Sequence, residues 1–305
     1  LGGSSVDRIG SVTAVGQVFS PSQALAVDSA GNVYVAGETL STDFPLVNAW
    51  QSTTKTSGYS AFVTALNSTG SALLYSTYLG GSVSNGGNPG SDIASSIAWD
   101  RFDNAVYVVG TASNSDFPTT PGPFQTKNPN GLNFPFVAKF SASGQLTNST
   151  LVGAAGAGGT GIGVAADSLG RAYIVGFTSY NGCTPQALQN CFPTTPGAVI
   201  PGSNVVNGSN GNGNGFVSVL NPSLSTLLYS TILGDPNGAQ SNTSEAFGVT
   251  VDANGNFYVV GVTGSPSLPT TAGAFQRSLG VANSIPLAGF AAKFGPVTSN
   301  GAILT

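Results

Sequence analysis

The stretches GNVYVAG (31–37), DNAVYVVG (103–110), GRAYIVG (170–176) and GNFYVVG (255–261) are four versions of one string. Each follows an apolar run that ends in aspartate: LAVD at Asp28, IAWD at Asp100, VAAD at Asp167 and VTVD at Asp252. The tyrosines Tyr34, Tyr107, Tyr173 and Tyr258 are separated by 73, 66 and 85 residues. Working outward, FPLVNAWQ (44–51), FPTTPGPFQ (117–125), FPTTPGAVI (192–200) and LPTTAGAFQ (268–276) come next in their units. Short apolar runs follow at 61–66, 135–140, 215–220 and 289–294. The closing segments are ALLYSTYLGG (72–81), QLTNSTLVG (145–153), TLLYSTILG (226–234) and GAILT (301–305).

Each unit thus holds four runs rich in Val, Tyr, Phe, Ile and Leu, bounded by Gly, Asn, Asp or Pro, which is the signature of strands. No window carries an apolar stripe at helical spacing, and 43 Gly with 18 Pro would not be tolerated in helix interiors. The Asp-x-x-Gly-Asn segment is a hairpin signal: Asp accepts backbone N–H groups, and Gly or Asn supplies positive φ. Repetition of four strands at a fixed period predicts an all-β β-propeller of four four-stranded blades, about 75 residues per repeat, with long Pro/Gly-rich loops. One domain spans 1–305, with an N-terminal extension over 1–23 and repeats at about 24–82, 83–153, 154–234 and 235–305.

The pattern resembles the seven-bladed-propeller (SBBP-type) repeats of secreted bacterial proteins. The Asp-x-x-Gly-Asn-x-Tyr-Val-x-Gly core, the Asp-Phe-Pro steps at 43–45 and 116–118, and the Tyr-Ser-Thr-x-Leu-Gly closures at 75–80 and 229–234 carry the likeness. It covers Ala24 to Thr305 and implies a β-propeller and an extracellular or cell-surface setting, but no shared activity. Four repeats stand here rather than seven, and the loops are longer.

Composition excludes several functions. Of 305 residues only 7% are charged, the net charge is −4 and there is no His. Eight scattered Lys and Arg give no footprint for nucleic acid or anionic membrane. No apolar run reaches the ~18 residues of a spanning helix, so membrane insertion is not expected. Without His the commonest general base and metal ligand is missing. The acidic residues show no metal-ligand spacing, and no cofactor, metal or catalytic residue is expected. The chain has no Met, which suits a processed or partial product.

The four equivalent aspartates Asp28, Asp100, Asp167 and Asp252 read as structural turn residues rather than as a cation-binding ring. Asp100 with Asp103 forms a carboxylate pair that a turn explains better than catalysis does. Lys139 and Lys293 hold equivalent positions and read as solvated edge residues. GAAGAGGTGIG (153–163) and VVNGSNGNGNG (205–215) read as loops, the first with no helix N-terminus to hold a pyrophosphate. Cys183 and Cys191, the only cysteines, are expected to form a local disulfide. Asn67, Asn207 and Asn242 are candidate glycosylation sites; a fourth sequon, at Asn148, falls within a strand and is weaker.

Leu1-Gly2-Gly3-Ser4 repeats Leu79-Gly80-Gly81-Ser82, and Thr305 aligns with Tyr75. Segment 8–19 (RIGSVTAVGQVF) alternates like a strand with no partner in its own repeat. Leu1, Arg8, Val12, Val15, Phe19, Ile303, Leu304 and Thr305 are therefore the candidate assembly residues, with closure of the two ends on each other, or a truncated larger propeller, as the competing arrangements. The expected function is a secreted, non-catalytic structural propeller that self-assembles at the cell surface or into an extracellular filament, its partner being itself. The alternative is a propeller that binds extracellular glycans or peptides through Trp50, Phe124, Tyr180 and Phe275.

Overall fold

The computed structural model describes residues 1–10, 14–15, 18–19, 23–83, 90–126, 133–154, 158–179, 183, 187, 190–202, 213–236, 244–279, 287–298, 301–302 and 304–305, with the backbone alone at 14–15 and 18–19. Among these residues there is no α-helix. The first sheet holds β1 (Asp7–Ile9), β4 (Leu25–Val27), β5 (Val33–Thr39), β6 (Ser60–Leu66) and β7 (Leu73–Leu79). β2 (Ala14–Val15) and β3 (Val18–Phe19) pair with each other between β1 and β4. β8 (Ile93–Asp100), β9 (Ala105–Ala112), β10 (Phe134–Ser141) and β11 (Leu146–Leu151) make the second sheet. The third contains β12 (Gly159–Ala166), β13 (Ala172–Ser179), β14 (Gly213–Leu220) and β15 (Leu227–Leu233). The fourth has three strands: β16 (Ser244–Val251), β17 (Phe257–Thr263) and β18 (Ala288–Phe294). All pairings are antiparallel, and all but that of β1 with β5 join sequence neighbours; among the described residues, four strands in every unit is corrected to sheets of five, four, four and three.

The repeated tyrosines occupy one register, opposite Ala65, Lys139, Val219 and Lys293 on the third strand. The glycine three residues later has a packing cause. A Cβ on Gly37, Gly110, Gly176 or Gly261 would overlap the carbonyl of the first strand. It would also press within 2.7–2.9 Å of the ring of Phe62, Phe136, Phe216 or Phe290 on the third. The Phe-Pro loops complete this arrangement. Phe44 lies 4.5 Å from Phe62, Phe117 4.6 Å from Phe136, and Phe192 4.6 Å from Phe216, so each loop folds back over its own sheet.

Two segments read as loops are partly strand. Gly159 to Gly163 lie in β12, where small residues admit the neighbouring sheets: a Cβ on Gly163 would stand 2.7 Å from the Phe247 carbonyl oxygen. Gly213 to Gly215 begin β14.

The expectation that segment 8–19 has no partner in its own repeat is overturned by the pairing of Arg8 with Glu38 and Ile9 with Gly37. In the other three sheets the first strand carries a one-residue bulge at Ser95, Ile162 or Phe247. In the first sheet that bulge is an insertion. Gly10 N–H donates to the Ala36 carbonyl and Ala36 N–H donates to the Ala24 carbonyl, so the ladder resumes where it was interrupted. Main-chain bonds on both sides explain why the strand stays in its own sheet. The β2–β3 hairpin belongs to this insertion.

The sheets stack in a row. The tyrosine-bearing face of the first, with Tyr34, Val63 and Tyr75, packs on Val106, Phe136 and Phe140 of the second. The same contact joins the second to the third, and the third to the fourth, where Tyr173 lies 5.2 Å from Phe257. Among the described residues the row does not close on itself, and its two end faces are exposed. Leu25 in β4 is 52% exposed, whereas its equivalents Ile97 and Val164 are 1% and 4%. At the far end Val260 is 50% exposed, against 0% for Ala36, Val109 and Val175. Closure of the two ends on each other is therefore not what the structure adopts.

Candidate functional site

The turn aspartates share one geometry in three units. Asp28 Oδ1 accepts the N–H groups of Ala30 (2.8 Å) and Asn32 (2.9 Å), and Oδ2 accepts Asn32 Nδ2 (2.8 Å) and Tyr34 Oη (3.0 Å). Asp167 repeats this with Leu169, Arg171 and Tyr173, and Asp252 with Asn254, Asn256 and Tyr258. Gly31, Gly170 and Gly255, at φ +81°, +72° and +80°, supply the left-handed residue. At Asp28 burial works against ionisation, but four donors outweigh it and the carboxyl stays below its ordinary pKa. With both oxygens occupied, these carboxylates act on their own turns.

The second unit departs from this. Asp100 Oδ1 accepts Phe102 N–H at 2.9 Å, while Oδ2 lies 2.8 Å from Lys139 Nζ. Asp103 also binds that ammonium. Lys139 is 2% exposed, which corrects its reading as a solvated edge residue. Its stem lies between two sheets and its ammonium sits 4.9 Å from the Tyr107 ring centre. Burial opposes the charge, yet the two carboxylates hold its pKa above the ordinary lysine value. Tyr107, relieved of its turn aspartate, donates to the Gly170 and Pro222 carbonyls of the next sheet. Lys293 is solvated, over Tyr258 at the open end of the row.

Cys183 and Cys191 are bonded to each other, buried at 1% and 7% exposure in the core between the second and third sheets. Closing so short a loop stabilises the fold by about 2–3 kcal/mol on the chain-entropy account. The Cys183→Ala/Cys191→Ala variant should lose about that much in urea titration, and a reducing agent should destabilise the parent but not the variant.

The Asn67 side chain is occupied, Oδ1 accepting the N–H groups of Ser71 and Ala72 and Nδ2 donating to Ser71 Oγ. Asn221 holds the equivalent turn in the third unit. Asn207, Asn242, Val12, Ile303 and Tyr180 lie outside the described residues, as do the side chains of Val15 and Phe19. Leu1 is 51% exposed. Gly3 N–H donates to Asp7 and Ser4 N–H to Asp43, both at 2.7 Å, as Gly81 donates to Asp92 and Ser82 to Asp116. Leu1–Ser4 therefore sits where Leu79–Ser82 sits one sheet later.

The recurring glutamine after an aromatic (AWQ, PFQ, AFQ) is a signal that the sequence reading passed over. Gln51 N–H donates to Thr77 Oγ1 and its carbonyl accepts Tyr78 N–H. Gln125 does the same with Thr150 and Leu151, and Ile200 takes the role with Thr231 and Ile232. The closing-strand Thr is thus the clasp for the long loop. In the fourth unit only Leu304, opposite Phe294, and Thr305, whose N–H donates to the Lys293 carbonyl, lie on the β18 edge. This register equates Leu304 with Leu73, correcting the alignment of Thr305 with Tyr75 by one residue. Beside that edge runs an apolar groove of about 740 Å³, lined among others by Val199, Leu233, Leu268, Phe275, Phe290 and Leu304. Phe275 is fully exposed, whereas Phe124 is half-buried and donates its N–H to Leu224 of the next sheet. Trp50 is 37% exposed in a different unit, so the loop aromatics do not form one platform.

One hairpin turn in three of the four sheets, one glycine–phenylalanine contact in all four and one repeated sheet-to-sheet packing define a β-repeat protein. A family profile described as the SBBP beta-propeller repeat matches residues 22–45 and 74–118. Those two matches fall on the first and second sheets. No curated protein matches the chain. The disulfide is consistent with an oxidising, extracellular setting.

Proposed function

We propose that this protein is a secreted, non-catalytic structural β-propeller whose four sheets are blades, and that it self-assembles at the cell surface or into an extracellular filament. The observation that carries the reading is the pair of apolar end faces, with Leu25 and Val260 half exposed at positions that are buried inside the row. Exposed contiguous apolar surface of this kind marks association. Few charges guard the edges against strand pairing, with 8 Lys and Arg in the whole chain. The turn carboxylates Asp28, Asp167 and Asp252 are occupied by their own turns, and Asp100 and Asp103 are paired with Lys139.

Sedimentation velocity over a concentration series and electron microscopy of the purified protein test the reading. Species heavier than the 30.3 kDa chain that grow with concentration, seen as rings or filaments, are the expected result. A monodisperse monomer at high concentration would refute it. Binding of glycans or peptides is the second reading, favoured by the groove beside Phe275. Retention on a glycan or peptide array that Phe275→Ala abolishes would give it precedence.

A further inference from the structure

We infer that the junction between copies repeats the contact between consecutive sheets: the tyrosine face of the fourth sheet receives the β4 face of the first sheet of a second copy. This rests on the self-assembly reading and specifies its geometry. Three observations converge on a second copy as occupant. The first is facial. The tyrosine faces of the first three sheets are each covered by the opposite face of the following sheet, and the two exposed faces are the complementary pair. Tyr173 packs at 5.2 Å on Phe257, and the residue equivalent to Phe257 in the first sheet is Val33, one before its tyrosine. At the junction Tyr258 therefore meets Val33 of the second copy.

The second is the loop. Phe124 N–H reaches the Leu224 carbonyl in the turn of the next sheet, and Leu224 has positive φ (+55°) as Gly70 has (+68°). Phe275, equivalent to Phe124, is fully exposed among the described residues, and in the junction it lies against the Gly70 turn of the second copy. The third is the strand slot. Leu79 pairs with Ala61 and Leu233 with Gly215, positions equivalent to Gly289 in β18. Leu1 is held on Asp7 and Asp43 of its own first sheet in the manner of the Leu79 segment, so stacking the second copy brings its Leu1 to the β18 edge opposite Gly289. Face, loop and edge are satisfied by one rotation, the same that relates each sheet to its neighbour. Such a contact is heterologous: it closes into a ring where the repeated rotation returns on itself and propagates as a filament where it does not.

The test uses the full chain in three forms: Val33→Cys, Tyr258→Cys, and both together, treated with a short bis-maleimide that the buried native disulfide does not consume. Covalent dimers are expected when the two single variants are mixed and not from either alone, and the double variant should give links between copies, ending at a closed ring or continuing as a ladder of higher multiples. Val260→Glu, at a half-exposed site, should leave thermal unfolding unchanged and weaken association by about tenfold or more, because the carboxylate would be buried at the junction. Links within one chain of the double variant would overturn the inference in favour of ring closure by a monomer. Links between copies of Tyr258→Cys alone would overturn it in favour of a face-to-face dimer. Large species that sediment but do not link would overturn this geometry while leaving self-assembly standing, whereas the absence of large species removes the self-assembly reading itself.

Discussion

Replacing Lys139 with Met should destabilise the protein by about 3–5 kcal/mol, because it leaves the carboxylate of Asp100 buried without its counter-charge. Asp100 is fully buried and Lys139 2% exposed, so water cannot take over the role of the lost partner. Asp103 holds the same ammonium from a side chain that is 45% exposed, and Asp103→Asn should cost less than about 1 kcal/mol. The double variant Lys139→Met/Asp100→Asn should recover a large part of the loss, since the uncompensated charge is then gone. Urea midpoints at neutral pH measure all three. Equal losses for Lys139→Met and Asp103→Asn would show that burial of Asp100 does not set the energetics.

A second large effect belongs to Glu245, 1% exposed in β16, whose Oε2 has no hydrogen-bond partner among the described residues. Burial pushes its pKa up from 4.5 to about 7. The folded state therefore holds the proton more tightly than the unfolded chain does. Its contribution is complete below about pH 4.5 and is lost as pH rises to about 7, by up to about 3 kcal/mol. Asp28, Asp43, Asp116 and Asp252 act in the opposite sense, with pKa values lowered in the fold. Their contribution is lost only as pH falls below the ordinary carboxylate range, so maximum stability is expected near about pH 4–5. Glu245→Gln should match the parent at pH 4.5, exceed it at pH 7.5, and flatten the decline between. A parent profile that is flat or rising from pH 5 to 7 would show that Glu245 is solvated in the fold.

Neither group stands out in the sequence. Lys139 occupies the same position as Lys293, and the two are in unlike surroundings because a further sheet covers one and nothing covers the other. Glu245 is one of 12 acidic residues, and only the stacking of β16 inside the row removes it from water. The Gln51 and Gln125 clasps were legible as a repeated letter, but their role needs the long loop to return to the closing strand.

What the sequence determined by itself is everything local and periodic. Strand identity, the hairpin turns at Asp28, Asp167 and Asp252, and the equivalence of the four tyrosines follow from side-chain alternation and from the few residues that adopt positive φ. These depend on interactions within a handful of neighbours, and they recur from unit to unit. The pairing of Cys183 with Cys191 is of the same kind, because so short a separation restricts the partners. Tertiary structure decided what depends on the next sheet. The pairing of Arg8 with Glu38 across an insertion, the burial of Lys139, and the strand character of Gly159–Gly163 all arise where one sheet meets another. The same holds for the open faces. Val260 and Val109 are the same residue at the same register, and only the presence or absence of a following sheet makes one a half-exposed docking position and the other part of a core.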